Sequence, residues 1–68
     1  MQLAILTVDN ANLALSIHTQ EDKQFKQVAY LPYSGDQYEY CKEWLQKHGY
    51  TFHATLDVAK VSQWIYSK

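Results

Sequence analysis

The feature that most constrains the fold is one well-delimited helix in the middle of a strand-like chain. Ser34 and Gln37 fit a capping box, in which the two side chains satisfy the first backbone N–H groups of a helix. The predicted helix runs to about His48, and Gly49 then supplies the left-handed residue that ends many helices. A helix of this kind among strands is typical of an α+β domain.

The predicted helix has two chemically distinct sides. At 100° per residue its apolar stripe comprises Gln37, Tyr40, Cys41, Trp44, Leu45 and His48, with Tyr38 at the edge. Its polar side comprises Glu39, Lys42, Glu43, Gln46 and Lys47. Glu43 and Lys47 stand four residues apart in the order that favours an ion pair on a helix surface.

A hairpin is predicted at the start of the chain. Residues 2–8 form a first strand, residues 9–12 a polar turn, and residues 13–18 alternate as a half-buried strand does. The cross-strand pairs expected for a four-residue loop are Val8 with Leu13, Leu6 with Leu15, and Ala4 with Ile17. These six side chains share one face of the hairpin.

A third strand is predicted over residues 25–33, after a charged loop. Its side chains divide between two faces, with Val28 and Tyr30 on one side and Phe25, Ala29 and Leu31 on the other. Pro32 cannot donate a ladder hydrogen bond, so it marks the end of the strand or an edge position.

One strand and a second helix are predicted after Gly49. Residues 50–56 form a fourth strand, beside the first or the third, with Phe52, Ala54 and Leu56 on one side. Asp57 is expected to cap a short helix to Lys68. The inner face of this helix carries Val58, Val61 and Ile65, with Trp64 beside them. The expected fold is a single α+β domain over residues 1–68, with the order β-β-β-α-β-α, a mainly antiparallel sheet and both helices on one face.

The charges of the chain argue against nucleic acid as its partner. All six basic residues are lysines, scattered along the sequence, and the net charge is −1. Arginine is the usual residue for bidentate phosphate and guanine contacts, and nucleic-acid affinity depends mostly on phosphate neutralisation. Stacking of single-stranded bases on Phe25, Tyr30 or Tyr33 is a lesser alternative.

The sequence also gives expectations on membrane and compartment. The longest apolar-rich run, residues 3–8, is far shorter than the roughly 20 residues that span a membrane. A lone cysteine, Cys41, has no partner for an internal disulfide, which favours a reducing compartment and a cytoplasmic location.

Catalytic and metal chemistry have little support in the sequence. The available donors are His18, His48, His53 and Cys41, and none has the spacing of a zinc motif. Cys41 lies on the apolar stripe, where free cysteines are usually inert core residues. We therefore expect no enzyme activity, no metal and no cofactor.

The order of the elements resembles the opening half of the ribonuclease H-like fold. In that family, acidic residues on the first strand, the first helix and the end of the fourth strand gather metal ions. The resemblance implies metal ligands at Asp9, at Glu39 or Glu43, and at Asp57. Because both glutamates project from the solvent side of their helix, a metal-dependent nuclease is the lesser alternative.

An excess of aromatic residues gives the leading prediction of function. Two Trp, six Tyr and two Phe are many for 68 residues, and such rings favour protein recognition surfaces. The candidate partner-binding residues are Tyr33, Tyr38, Tyr40, Trp64, Tyr66, Glu39 and Glu43. We expect a small non-enzymatic protein-binding module, an accessory inhibitor or adaptor of the phage or mobile-element anti-defence type, such as an anti-CRISPR. The main alternative is a structural homo-oligomer, for example a homodimer paired through strand edges.

Overall fold

The fold is a five-stranded sheet with one helix, in a computed structural model that describes residues 1–68. The strands are β1 (Leu3–Asp9), β2 (Ala14–Glu21), β3 (Gln24–Pro32), β4 (Thr51–Val58) and β5 (Val61–Ser67), and the helix α1 (Gly35–Lys47) lies between β3 and β4. The strand order is β3-β2-β1-β5-β4, and every neighbouring pair is antiparallel. The predicted α+β class is confirmed.

The connectivity places the two ends of the helix at opposite edges of the sheet. β1, β2 and β3 form a meander, and α1 then carries the chain from the β3 edge across one sheet face to β4. β5 returns between β4 and β1, so β4 lies beside neither of the two strands that we expected as its neighbour. The single helix is neither long enough nor apolar enough to cross a membrane.

The prediction of a second helix is wrong. Residues 57–68 form the end of β4, a turn at residues 59–60, and β5. The three- and four-residue spacing of Val58, Val61 and Ile65 fits a helix, but the same segment is rich in β-branched and aromatic residues, which favour a strand. As a strand, β5 pairs with the remaining edge of β1 and with one edge of β4. Asp57 therefore lies within β4 and caps no helix.

The predicted β1–β2 hairpin is correct in its faces but not in its register. Leu6 pairs with Ile17 and Val8 with Leu15, a shift of two residues from the expected pairing. Because side chains alternate with a period of two, this shift leaves the same residues on the core face. Only Leu13 leaves the strand: it is exposed in the loop with a positive φ of 51°.

The carboxylate of Asp9 accepts three hydrogen bonds within this loop. Its Oδ1 accepts the backbone N–H groups of Ala11 at 3.0 Å and Asn12 at 3.1 Å, and its Oδ2 accepts the Asn12 side-chain amide at 2.8 Å. These bonds, above all the one from the Asn12 side chain, lower the pKa of Asp9 below its usual value. The loop is therefore an ordered turn of residues 10–13, held by hydrogen bonds to Asp9.

Two bulges change the faces that we predicted for the edge strands. In β3 the register shifts so that Ala29 pairs with Ile17 while Gln27 pairs with His18, which leaves Val28 as an extra residue. The inserted residue puts Phe25 on the face opposite Ala29 and Leu31 rather than with them. A bulge inserts one residue and so reverses the alternation beyond it.

The second bulge lies at His53 in β4. Phe52 pairs with Tyr66, but Ala54 pairs with Ile65. Phe52 therefore lies on the helix side of the sheet, and Ala54 and Leu56 lie on the other side, which corrects the prediction that all three share a face.

The core lies between α1 and the centre of the sheet. Cys41 and Leu45 are fully buried against the core-facing side chains of β1 and β2, which are Ala4, Leu6, Val8, Leu15 and Ile17. Tyr40 and His48 are exposed instead, so the buried stripe is rotated from the predicted one toward Tyr38. Burial of one such leucine contributes about 1.5–3 kcal/mol to folding.

Both predicted helix ends are confirmed, with only the Ser34 half of the predicted capping box formed. The Ser34 Oγ accepts the backbone N–H of Gln37 at 3.1 Å. At the other end Gly49 takes a left-handed φ of 85° and donates its N–H to the Gln46 carbonyl. The ion pairs are Lys42 with Glu39 and Lys26 with Glu21, rather than the expected pair of Glu43 with Lys47.

Candidate functional site

The helix covers only part of the sheet face on which it lies. It packs over β1 and β2, whereas all eight residues of β4 are exposed. The uncovered part of this face forms a groove of about 310 Å³ between α1 and β4. Its lining residues are Tyr38, Lys42, Phe52, Trp64 and Tyr66, and we call it the aromatic groove.

Two aromatic pairs form the walls of the aromatic groove. The ring centroids of Tyr38 and Trp64 lie 5.4 Å apart at 59°, and those of Phe52 and Tyr66 lie 5.6 Å apart at 68°. Both separations fall in the range in which tilted rings attract each other, about 4.5–7 Å. The rings therefore hold one another in place around the groove.

Burial increases from the rim of the groove to its floor. Phe52 is 48% exposed, Tyr38 and Trp64 are half-buried, and Tyr66 is 8% exposed. Burial raises the pKa of the Tyr66 hydroxyl, and the neighbouring Tyr38 raises it further. At neutral pH the floor thus presents an uncharged hydroxyl among aromatic rings.

Lysine side chains lie at one end of the groove. The Lys42 ammonium is 5.0 Å from the centroid of the Tyr38 ring and 3.6 Å from a carboxylate oxygen of Glu39. Farther along, the Lys68 ammonium lies 4.6 Å from the centroid of Tyr50 and donates to the His48 carbonyl. A second hollow of about 460 Å³ continues the groove in this direction and shares Lys42, Phe52 and Tyr66 with it.

The strand beside the groove is an edge strand with little protection. β4 pairs only with β5, so its outer backbone edge has no partner. Edge strands often carry lysine or proline, which discourage pairing with another chain. The opposite edge strand, β3, has both Lys26 and Pro32, whereas β4 has neither and is interrupted only by Asp57 and its bulge.

The structure brings together three of the predicted site residues. Tyr38, Trp64 and Tyr66 line the aromatic groove. Tyr33 and Tyr40 are exposed but lie outside it. Glu39 lies beside the groove, because it forms an ion pair with the lining residue Lys42. Glu43 is exposed on the outer side of α1.

Of the two groove residues that the sequence reasoning missed, Lys42 was assigned to the polar side of the helix, and Phe52 is the aromatic one. Phe52 was placed in a strand but not among the candidate site residues. A signal was present: once residues 61–66 are taken as a strand, Trp64 and Tyr66 share a face, and an aromatic residue on the neighbouring strand is the natural partner of Tyr66.

The acidic residues of the nuclease alternative do not meet. Asp9 is held in its turn, Asp57 lies in β4, and Glu39 pairs with Lys42. No group of three or more His, Cys, Asp or Glu side chains is placed to hold a metal ion. The chain also has five antiparallel strands and one helix, in the order β-β-β-α-β-β. The resemblance was based on the order β-β-β-α-β-α, which the chain does not have.

Two other side chains with reactive groups, Cys41 and His53, are held within the core and the sheet. Cys41 is fully buried in the core, and burial raises the pKa of its thiol. The His53 ring nitrogen hydrogen-bonds the Ser67 hydroxyl within the sheet. A raised thiol pKa lowers the thiolate fraction and hence the reactivity of a cysteine.

Comparison of the chain with models of protein families, with curated protein sequences and with solved structures finds no match. The features of the molecule that bear on function are therefore those of its own surface. Chief among them is the aromatic groove beside the open edge of β4.

Proposed function

We propose that this chain is a small non-enzymatic protein-binding module that captures an extended segment of a larger protein along β4. The observation that carries this proposal is the position of the aromatic groove directly beside an unpaired strand edge. The backbone of the partner segment pairs with β4, and one of its apolar side chains enters the groove. This is recognition by β-strand addition.

The backbone of β4 supplies affinity that does not depend on sequence. An outer edge strand presents a row of N–H and C=O groups that another strand can satisfy. An added strand would extend the sheet beyond β4 and leave the order of the existing strands unchanged.

The aromatic groove supplies selectivity. Its volume of about 310 Å³ lies at the lower limit of small-molecule pockets, roughly 300–1,000 Å³, and suits a large side chain better than a whole ligand. Tyr and Trp rings cover much area for little lost rotamer freedom, which makes them frequent interface anchors.

Exposed acidic residues of α1 extend the proposed interface. Glu39 lies beside the groove, where it pairs with Lys42, and Glu43 is exposed on the outer side of the same helix. We propose that they meet basic residues on the body of the partner, where rim charges act mostly on the rate of association.

We infer further that the partner belongs to a larger protein machine and that the chain inhibits or adapts it. Small cytoplasmic accessory proteins of phages and mobile elements, such as anti-CRISPR proteins, are the class we favour, by analogy of size and composition. Addition of the purified chain to reconstituted CRISPR nucleases tests this assignment. Loss of cleavage at stoichiometric chain supports it, and unchanged cleavage by effectors of every type contradicts it.

A selected peptide tests the groove itself. Ten-residue peptides are selected from a displayed library on the intact chain, and their binding is followed by the fluorescence of Trp64 in a Trp44→Phe background. We expect Tyr38→Ala and Phe52→Ala to weaken binding about 30-fold, the effect of removing an interface hot spot of about 2 kcal/mol.

Tyr40→Ala is the matched control, because Tyr40 is an exposed tyrosine of the same helix outside the groove. Its effect should stay within about two-fold, since most residues outside a hot spot contribute little. Peptides that bind Phe52→Ala and the parent chain equally would show that the groove is not the site. Thermal unfolding of each variant verifies that it is folded.

A further inference from the structure

The sheet has a second face that α1 does not cover. On this side lie Ile5, Thr7, His18, Tyr30, Leu56 and Ile65, and we call it the open face. The two bulges enlarge its apolar part, because they turn Phe25 and Leu56 toward it. At its centre is a shallow hollow of about 400 Å³ over Thr7, Ser16 and Gln63.

Large apolar side chains of the open face are exposed in the single chain. Tyr30 is 62% exposed and Leu56 is 51% exposed. An antiparallel sheet with one solvated face normally alternates apolar residues inward and polar residues outward. Here both faces are rich in apolar side chains, and only one is covered.

The open face carries almost no charge. The strand residues Glu21, Lys26 and Asp57 all project on the side of α1, as their cross-strand partners show. The other lysines lie in turns, on the helix or after β5. Asp9 is the charged residue of this face, but it lies at the rim, with its carboxylate hydrogen-bonded within its own turn.

A neutral face is suited to contact with its own copy. In a two-fold dimer the same patch meets itself, so a charged side chain near the axis would meet its like. The open face avoids this repulsion, whereas the α1 side, with its glutamates and lysines, does not. Two twisted sheets pack face to face about 10 Å apart with their inner side chains interdigitated.

The area of the open face is sufficient for such a dimer. Five strands of seven to nine residues form a sheet of roughly 20 by 25 Å, from strand spacings of about 4.8 Å and rises of about 3.3 Å. Each copy thus covers on the order of 500 Å², and the pair on the order of 1,000 Å², the lower limit for a specific interface.

We propose that two copies of this chain associate through their open faces to form a β-sandwich dimer, with a helix on each outer side. This dimer leaves the aromatic groove of each copy on its outer surface and the β4 edge at its perimeter. It differs from the strand-edge homodimer considered from the sequence. It is also independent of the proposed function, since the open face and the aromatic groove share no side chain.

Sedimentation of the chain over a wide concentration range tests the proposal. The parent chain should sediment at twice the mass of the 8.0 kDa chain at high concentration and dissociate on dilution. Gln63→Lys places an ammonium at the centre of the open face and should weaken the dimer at least ten-fold. Gln46→Lys, an equal change of charge on the exposed side of α1, should leave it unchanged.

Three results would overturn the dimer. These are a parent chain that stays at 8.0 kDa at all concentrations, a dimer that Gln63→Lys does not weaken, and concentration-dependent NMR shifts confined to the outer edge of β4. Ser16→Lys, on the neighbouring strand of the same face, replaces Gln63→Lys if thermal unfolding shows that the latter is not folded.

Discussion

The meander with its helix and the β4–β5 hairpin differ in side-chain burial and in the pairing of their strand edges. In the first region β1 and β2 lie in the middle of the sheet, and their core-facing side chains are buried under Cys41 and Leu45. In the second, β4 is exposed along its whole length and only one of its edges is paired. We call the first region the stable half, because it holds most of the buried core, whereas the second offers an outer strand for contact.

The largest expected difference between the two regions is in the effect of truncating a leucine. Leu45→Ala empties a fully buried position and should lower the free energy of unfolding by about 2–5 kcal/mol. Leu56→Ala removes a half-exposed side chain from β4 and should change it by less than about 1 kcal/mol. Urea unfolding at low chain concentration, where a dimer is dissociated, measures both. Equal losses would contradict the division into two regions.

The N-cap of α1 tests the stable half at a smaller scale. Ser34→Ala removes the acceptor of the Gln37 N–H and should destabilise the chain by about 1 kcal/mol. Ser34→Asp keeps an acceptor at the same position and should restore most of this loss. The midpoint of urea unfolding distinguishes the two variants. If Ser34→Asp is as unstable as Ser34→Ala, the loss of stability in Ser34→Ala does not come from loss of the N-cap acceptor.

The turn between β4 and β5 gives a test in which the sign of the stability change distinguishes a strand hairpin from a helix. Ala59 has a φ of 52°, where an L-residue is strained by about 1–2 kcal/mol and glycine is not. Ala59→Gly should therefore stabilise the chain slightly, by up to about 1 kcal/mol. In a helix the same change would destabilise by a similar amount. Ala54→Gly, within β4, is the control and should destabilise.

The smallest effect is that of acid on the β1–β2 turn. The lowered pKa of Asp9 means that its stabilising contribution is complete above the unfolded value of 3.8 and is lost as the pH falls through the lower folded value. The stability difference between the parent chain and Asp9→Ala should therefore shrink as the pH is lowered from 5 through this range. Urea midpoints measured across it give the difference, and a gap that is constant with pH would contradict the role of the carboxylate.

The sequence could predict the stable half because its signals are local. Ser34 and Gly49 mark the ends of α1 whatever surrounds them, and the two-residue period of β1 and β2 sets their faces even when the register slips by two. The outer hairpin lacks such signals. Val58, Val61 and Ile65 fit a helix or a strand, and only the free edge of β1 decides between them.

The candidate site was predicted only in part. Tyr38, Trp64 and Tyr66 were all selected as aromatic residues in excess of what the core could hold. Phe52 was not selected, because the predicted helix after Asp57 gave Tyr66 no neighbouring strand. The bulge at His53, which an alternating pattern does not reveal, also separates the face of Phe52 from that of Leu56. Tyr33 and Tyr40 were grouped with the others by residue type alone, and the fold puts them elsewhere.

Amide hydrogen exchange of β4, with and without a selected peptide, tests most directly whether this strand is the docking edge. In the free chain the outward-pointing amides of both edge strands, β3 and β4, should exchange fast, since they have no partner. At saturating peptide those of β4 should slow by at least ten-fold while the amides of β3 stay unchanged. Protection that falls on β3 or α1 and leaves β4 unaltered would contradict the account.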